Sequence, residues 1–203
     1  MSGLAIWMYD TRVGVLSRQR GNLSFAYTPE GLDLGLGVPL LSVSMPTRGR
    51  AYGNEVTSAF FSGLLPEGEP RQIIAYDLNL SERDAYGLLR ALGRDCAGAL
   101  VVVPDGETLE EEGVPEPITD AEVARRLRKL RVQPLGVDQR VRVSLAGMQR
   151  KLLLSRLENG WGLPVDGAPS THIVKPANRY LRNVVANEAL CVRVARELGL
   201  PAA

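Results

Sequence analysis

The chain has 203 residues, 45% of them hydrophobic and 23% charged, with 24 basic against 23 acidic side chains. That size and composition suit one large or two small folded domains and exclude a disordered or fibrous chain. A net charge of +1 provides no global basic field for nucleic acid or an anionic membrane, so any such contact needs a local patch.

The first forty-odd residues alternate apolar runs with turn signals. Leu4–Tyr9, Val13–Arg18, Leu23–Tyr27 and Pro39–Met45 read as short antiparallel strands, with a tight turn at Gly21-Asn22. From Asn54 the period changes: Val56, Phe60 and Leu64 recur at helical spacing up to Leu65-Pro66, and a helical hairpin follows. Ser81-Glu82-Arg83-Asp84 has the form of a capping box, opening a helix whose stripe of Tyr86, Leu88, Leu89 and Leu92 stops at Gly93. Ala97–Val103 is an apolar run of strand length, ended by Pro104-Asp105-Gly106. These elements make a first domain over residues 1–104.

Residues 105–118 are rich in Glu and Pro and read as a solvated linker. Thr119-Asp120-Ala121-Glu122 is a second capping box, starting a helix through Leu130. Its late Arg125, Arg126, Arg128 and Lys129 suit the negative helix end better than a nucleic-acid patch. Strand patterns return at Val141–Leu145, Lys151–Leu157 and Trp161–Leu163, the last two joined by Asn159-Gly160, and again at Thr171–Val174 before Lys175-Pro176. A last helix runs from about Asn183 to Leu198, with Val184, Leu190, Val194 and Leu198 inward and Gly199-Leu200-Pro201 as its stop. The fold class expected is α+β, with residues 119–203 as a second domain.

His172 is the only histidine, which almost excludes Ser-His-Asp, Cys-His and His-rich metal chemistry; it reads as a satisfied, partly buried side chain. Cys96 and Cys191 have no second Cys or His at metal-binding spacing and read as buried thiols of a reducing compartment. The opening lacks the basic and long apolar regions of a signal peptide, and no apolar run spans a bilayer, so the cytoplasm is the expected location.

One constellation suggests chemistry. A strand, a turn centred on Gly147, a second strand, a later strand carrying Lys175 and a helix carrying Glu188 follow in the order a kinase nucleotide lobe requires. A small-residue hairpin lets backbone N–H groups approach phosphates, and a lysine on a rigid strand reaches their charge. Glu188 follows Lys175 by 13 residues, room for a loop and one helical turn before the carboxylate faces the amine. On spacing alone an ordinary sheet with a solvated lysine explains the same residues. Arg150 and Lys151 beside the turn are further phosphate ligand candidates, although strand alternation sends one of them to solvent.

Six strings read together resemble the HipA family of bacterial serine/threonine kinase toxins. In the first domain they are Pro39-Leu40-Leu41-Ser42-Val43-Ser44-Met45-Pro46, Phe60-Phe61-x-x-Leu64-Leu65-Pro66-Glu67 and Leu92-Gly93-Arg94-Asp95-Cys96-Ala97-Gly98-Ala99-Leu100. In the second they are Ser144-Leu145-Ala146-Gly147-Met148-Gln149-Arg150-Lys151, Thr171-His172-Ile173-Val174-Lys175-Pro176 and Asn187-Glu188. The resemblance implies transfer of the γ-phosphoryl group of ATP to a protein serine or threonine with Mg²⁺, by a toxin restrained by a HipB-like helix-turn-helix antitoxin. DNA is then contacted only through the antitoxin, and an aminoacyl-tRNA synthetase is one implied substrate.

By the same resemblance Ala146, Gly147, Met148, Gln149 and Lys151 belong to the phosphate loop. Lys175 and Glu188 form the nucleotide lysine and its partner, and Ser144 is the autophosphorylated loop serine. The fifteen residues after Glu188 contain no Asp or Asn to orient a hydroxyl or hold Mg²⁺. This chain alone is therefore expected to carry no catalytic residue, to bind ATP weakly and to phosphorylate nothing. A fragment of a kinase is the favoured reading. The alternative is a non-catalytic module that docks onto a separate kinase core or antitoxin.

Overall fold

The computed structural model describes residues 3–96, 99–107, 109, 113–130, 143–144, 149–166, 168–177 and 183–202. Three antiparallel strands open the chain: β1 (Leu4–Met8), β2 (Thr11–Gln19) and β3 (Asn22–Tyr27). Helices α1 (Pro29–Asp33), α2 (Asn54–Ser62), α3 (Gly68–Asp77) and α4 (Ala85–Leu92) follow, then strands β4 (Asp95–Cys96) and β5 (Leu100–Pro104). Beyond these lie β6 (Glu116–Ile118), α5 (Asp120–Lys129), β7 (Val143–Ser144), β8 (Leu152–Leu157), β9 (Gly160–Leu163), β10 (His172–Val174) and α6 (Val184–Glu197). The fold is α+β, with one four-stranded sheet in the order β3-β2-β1-β5 and a second in the order β10-β8-β9-β6.

The first sheet packs against the helices around Phe25, whose ring meets Tyr27 edge-on at 4.9 Å and Phe61 at 5.6 Å. Arg20 and Gly21 both take positive φ, the two-residue turn that matches the twist of β2 and β3. Gly31 lets α1 lie on β2, because a Cβ there would come within 2.2 Å of the Val13 carbonyl oxygen. The second sheet is covered on both faces. Leu152 and Leu154 pack with Leu130 and the apolar side of α5, whereas Leu153 packs with Leu163 and Val165. Burial on both faces explains three consecutive leucines where alternation would suffice for one.

Several expectations change. Pro39–Met45 is not a strand. Met45 N–H donates to Ser42 O and Thr47 N–H to Val38 O, so the segment folds on itself through local Ser and Thr bonds and offers no ladder to a neighbour. The cap of α4 is Asp84, which accepts from Gly87 N at 2.8 Å, whereas Ser81 Oγ closes a short turn with Arg83 N. Part of the expected linker, Glu116–Ile118, is a strand on the edge of β9. At the second capping box Thr119 accepts from Glu122 N, but the Glu122 carboxylate turns to Arg125 and Arg126 rather than back to the cap.

The strand expected to lead into a turn at Gly147 also departs from a simple hairpin. Both edges of β8 are taken, by β9 and β10, so β7 has no edge of β8 to join. It pairs in parallel with β4, Asp95 with Val143 and Cys96 with Ser144, which ties it to the chain of the first sheet. In α6 no residue is buried, and Leu190, Val194 and Leu198 face outward, contrary to the inward stripe expected. Cys191 is likewise exposed on this helix, whereas Cys96 is buried. Among the described residues no helix is long and apolar enough to cross a membrane.

Because Phe25 is fully buried between two aromatic neighbours, Phe25→Ala is expected to destabilise the first core by about 3–5 kcal/mol, measured by urea denaturation.

Candidate functional site

The register of β10 on β8 pairs His172 with Leu154, Ile173 with Leu153 and Val174 with Leu152. Continued by one residue, it sets Lys175 against Lys151. Two cations directly opposite across an antiparallel pair repel, so this juxtaposition needs anions around it.

One is Glu188. Asn183 takes a left-handed conformation that Asn tolerates and starts α6. The helix then brings Glu188 back over the strand end, where Lys175 Nζ donates to Glu188 Oε1 at 2.5 Å. The Lys175 and Glu188 side chains are 31% and 50% exposed. A pair this open contributes about 0.2–1 kcal/mol, so its main effect is to hold the lysine extended.

Lys151 lies deeper, only 6% exposed. Loss of hydration pushes its amine below the ordinary lysine value of 10.5; the Lys175 charge pushes the same way, and Glu67 opposes both. Its neighbour Arg150 donates through Nη2 to Glu69 Oε2 at 2.7 Å. Strand alternation suggested that one of Arg150 and Lys151 goes to solvent, and the structure agrees: Lys151 is buried, whereas Arg150 is partly exposed and meets an exposed carboxylate from α3.

Gln149, two residues before Lys151, has a buried side-chain amide nitrogen without a hydrogen-bond partner among the described residues. An unmet buried donor this close in sequence to Lys151 suits an anion with oxygen acceptors. Ala146, Gly147 and Met148 lie outside the described residues, and for Ser144 the structure describes only the backbone, paired with Cys96. His172 is exposed rather than partly buried: its Nδ1 shares a hydrogen bond with Thr171 Oγ1 at 2.8 Å, and its ring meets Trp161 edge-on.

Sequence reasoning missed Glu67 and Glu69 as neighbours of this site. Glu67 closes a family string and Glu69 sits in the first turn of α3, where acidic residues suit the helix dipole on their own. Only the fold carries them to residues some eighty positions later.

The lowered Lys151 value has a definite sign. In the folded chain its amine loses a proton at lower pH than in the unfolded chain, so across that interval folding becomes more favourable as pH rises. An NMR titration of the Lys151 side chain is expected to give a midpoint below 10.5, moving up in Lys175→Met and further down in Glu67→Gln.

Two family models match the chain: the HipA N-terminal domain over residues 4–103 and the HipA-like C-terminal domain over residues 143–203. A Sinorhizobium fredii protein carrying the name kinase, Y4mE, is 36% identical over 207 residues, which cover 98% of this chain and 49% of that protein. The serine/threonine-protein kinase toxin HipA of Shewanella oneidensis is 32% identical, over 97% of this chain and 45% of its own length. A solved structure of Shewanella oneidensis HipA with HipB and operator DNA superposes with a TM-score of 0.73 at 30% identity, covering 97% of this chain and 45% of that one. The chain thus spans about half the length of the relatives it matches. Its two matched regions, kinase-named relatives and shared architecture agree: the chain belongs to the HipA family.

Proposed function

We propose that this chain forms the amino-terminal subdomain and the nucleotide-holding part of a HipA-type protein serine/threonine kinase, with the phosphates of ATP lying on Lys151 and Lys175. The observation that carries the reading is the cation pair set up by the β8–β10 register, with Lys175 held by Glu188 at 2.5 Å. A strand lysine fixed by a helix glutamate is the arrangement with which protein kinases grip nucleotide phosphates. Lys151 adds a second, partly dehydrated charge, which acts more strongly on a phosphate than a solvated one. The unmet Gln149 amide is a further donor for a phosphate oxygen.

ATP supplies the transferable phosphoryl group; the residues described here bind and orient it. Among the described residues no group of three or more His, Cys, Asp and Glu could hold a metal ion. Transfer to a protein serine or threonine, such as one on an aminoacyl-tRNA synthetase, and restraint by a HipB-like antitoxin are proposed from the family. The antitoxin is supported by the HipA neighbour, whose structure includes HipB and operator DNA. A net charge of +1 agrees with contact to DNA through that antitoxin rather than directly. The second reading, a module that docks onto a separate kinase core or antitoxin, is favoured by the outward apolar residues of α6.

An ATP acyl phosphate, which acylates lysines beside bound phosphates, separates the two. The kinase reading expects Lys175, and more weakly Lys151, to be labelled and excess ATP to suppress the labelling; the docking module expects labelling indifferent to ATP.

A phosphate on Ser144, beside the loop, adds about −1.5 to −2 charge where the triphosphate must sit. Autophosphorylation there is proposed to switch the site off. Ser144→Asp is accordingly expected to raise the ATP concentration needed to suppress labelling, and an unchanged concentration would remove Ser144 as the switch.

A further inference from the structure

We infer that Glu67 and Glu69, at the start of α3, form an acidic latch that occupies Arg150 and Lys151 from the first subdomain and that the phosphates of an incoming nucleoside triphosphate must displace. The inference rests on the nucleotide reading of the Lys151–Lys175 site and adds a regulation to it.

Four observations support the latch. The Glu69 carboxylate accepts from Arg150 Nη2 at 2.7 Å across 81 residues of sequence, joining two parts of the fold that have separate cores. Glu67 is the N-cap of α3, yet its side chain makes no capping bond, so its carboxylate is not committed to the helix. Lys151 is only 6% exposed, so a phosphate that reaches its amine enters the region whose charge Glu67 already offsets. Val143–Ser144 on β7 pairs with Asp95–Cys96 on β4, so the same two parts of the fold are also joined through backbone.

Carboxylates and phosphate oxygens compete for the same guanidinium and ammonium donors, and the phosphate carries more charge. While the site is empty, the glutamates offset the Lys151 and Lys175 repulsion and hold α3 against the nucleotide-holding part. When a triphosphate arrives it takes over that role, and the first turn of α3 is released. Occupancy of the site is thereby read out in the first subdomain. A pure helix-dipole role for the two glutamates would stabilise α3 without any dependence on nucleotide.

The test compares the chain with the double variant Glu67→Gln, Glu69→Gln. Both positions are exposed, so the fold should be retained, and circular dichroism checks this. The readout is the ATP concentration that halves acyl-phosphate labelling of Lys175. The latch predicts a decrease of about two- to fivefold in the variant, the range expected for removing competing exposed ion pairs. That difference should shrink in about 0.5 M salt, where such pairs are screened. In the parent, saturating ATP should also speed amide hydrogen exchange in the first turn of α3. An equal or higher ATP concentration in the variant, or exchange at α3 unmoved by ATP, would overturn the latch while leaving the nucleotide site intact. Labelling that ATP fails to suppress in either protein would instead overturn the nucleotide reading, and the latch with it.

Discussion

Two ammonium groups brought together at the end of the β8–β10 pair are the constraint around which the second half of the fold is arranged. The register that buries Leu152, Leu153 and Leu154 leaves no freedom in where Lys151 and Lys175 fall. Their repulsion is met from two directions: Glu188 reaches Lys175 from α6, and the α3 glutamates stand by Lys151 and Arg150 from the first subdomain. An arrangement that needs anions on two sides suits the polyphosphate proposed to lie on it. In an ordinary sheet the same positions would carry opposite charges or none.

This accounts for how the two subdomains divide the work. The first has an extensive core of its own, built on aromatic contacts around Phe25 and the apolar stripe of α4. The second has smaller clusters on the two faces of β8, the more extensive one lying under α5. Between them run a two-residue parallel ladder and the Arg150–Glu69 pair. Such contacts are individually weak, the kind that a highly charged ligand can rearrange without unfolding either core.

Much of this was legible in the sequence where local chemistry decides the outcome. The Leu4–Met8 and Leu23–Tyr27 strands, the Thr119 cap and the helix carrying Glu188 follow from periodicity and capping, and the thirteen-residue step from Lys175 to Glu188 correctly anticipated their ion pair. What escaped depends on competition between partners. Pro39–Met45 has strand composition, but nearby Ser and Thr groups bind its backbone first. Val143–Ser144 looks like the first arm of a hairpin, but both edges of its presumed partner are taken. Leu190, Val194 and Leu198 make a helical stripe, and periodicity marks such a stripe without saying whether a neighbour in the same chain covers it. The glutamates of α3 were hidden for the opposite reason, since a helix start explains acidic residues without any distant partner.

If Lys175, held by Glu188, grips nucleotide phosphate as proposed, ³¹P NMR of ATP with the chain reports it, because weak binding still shifts and broadens resonances. The β- and γ-phosphorus lines are predicted to move with the parent protein and to stay at their free positions with Lys175→Met. Identical spectra with the two proteins would rule out Lys175 as the phosphate-gripping residue.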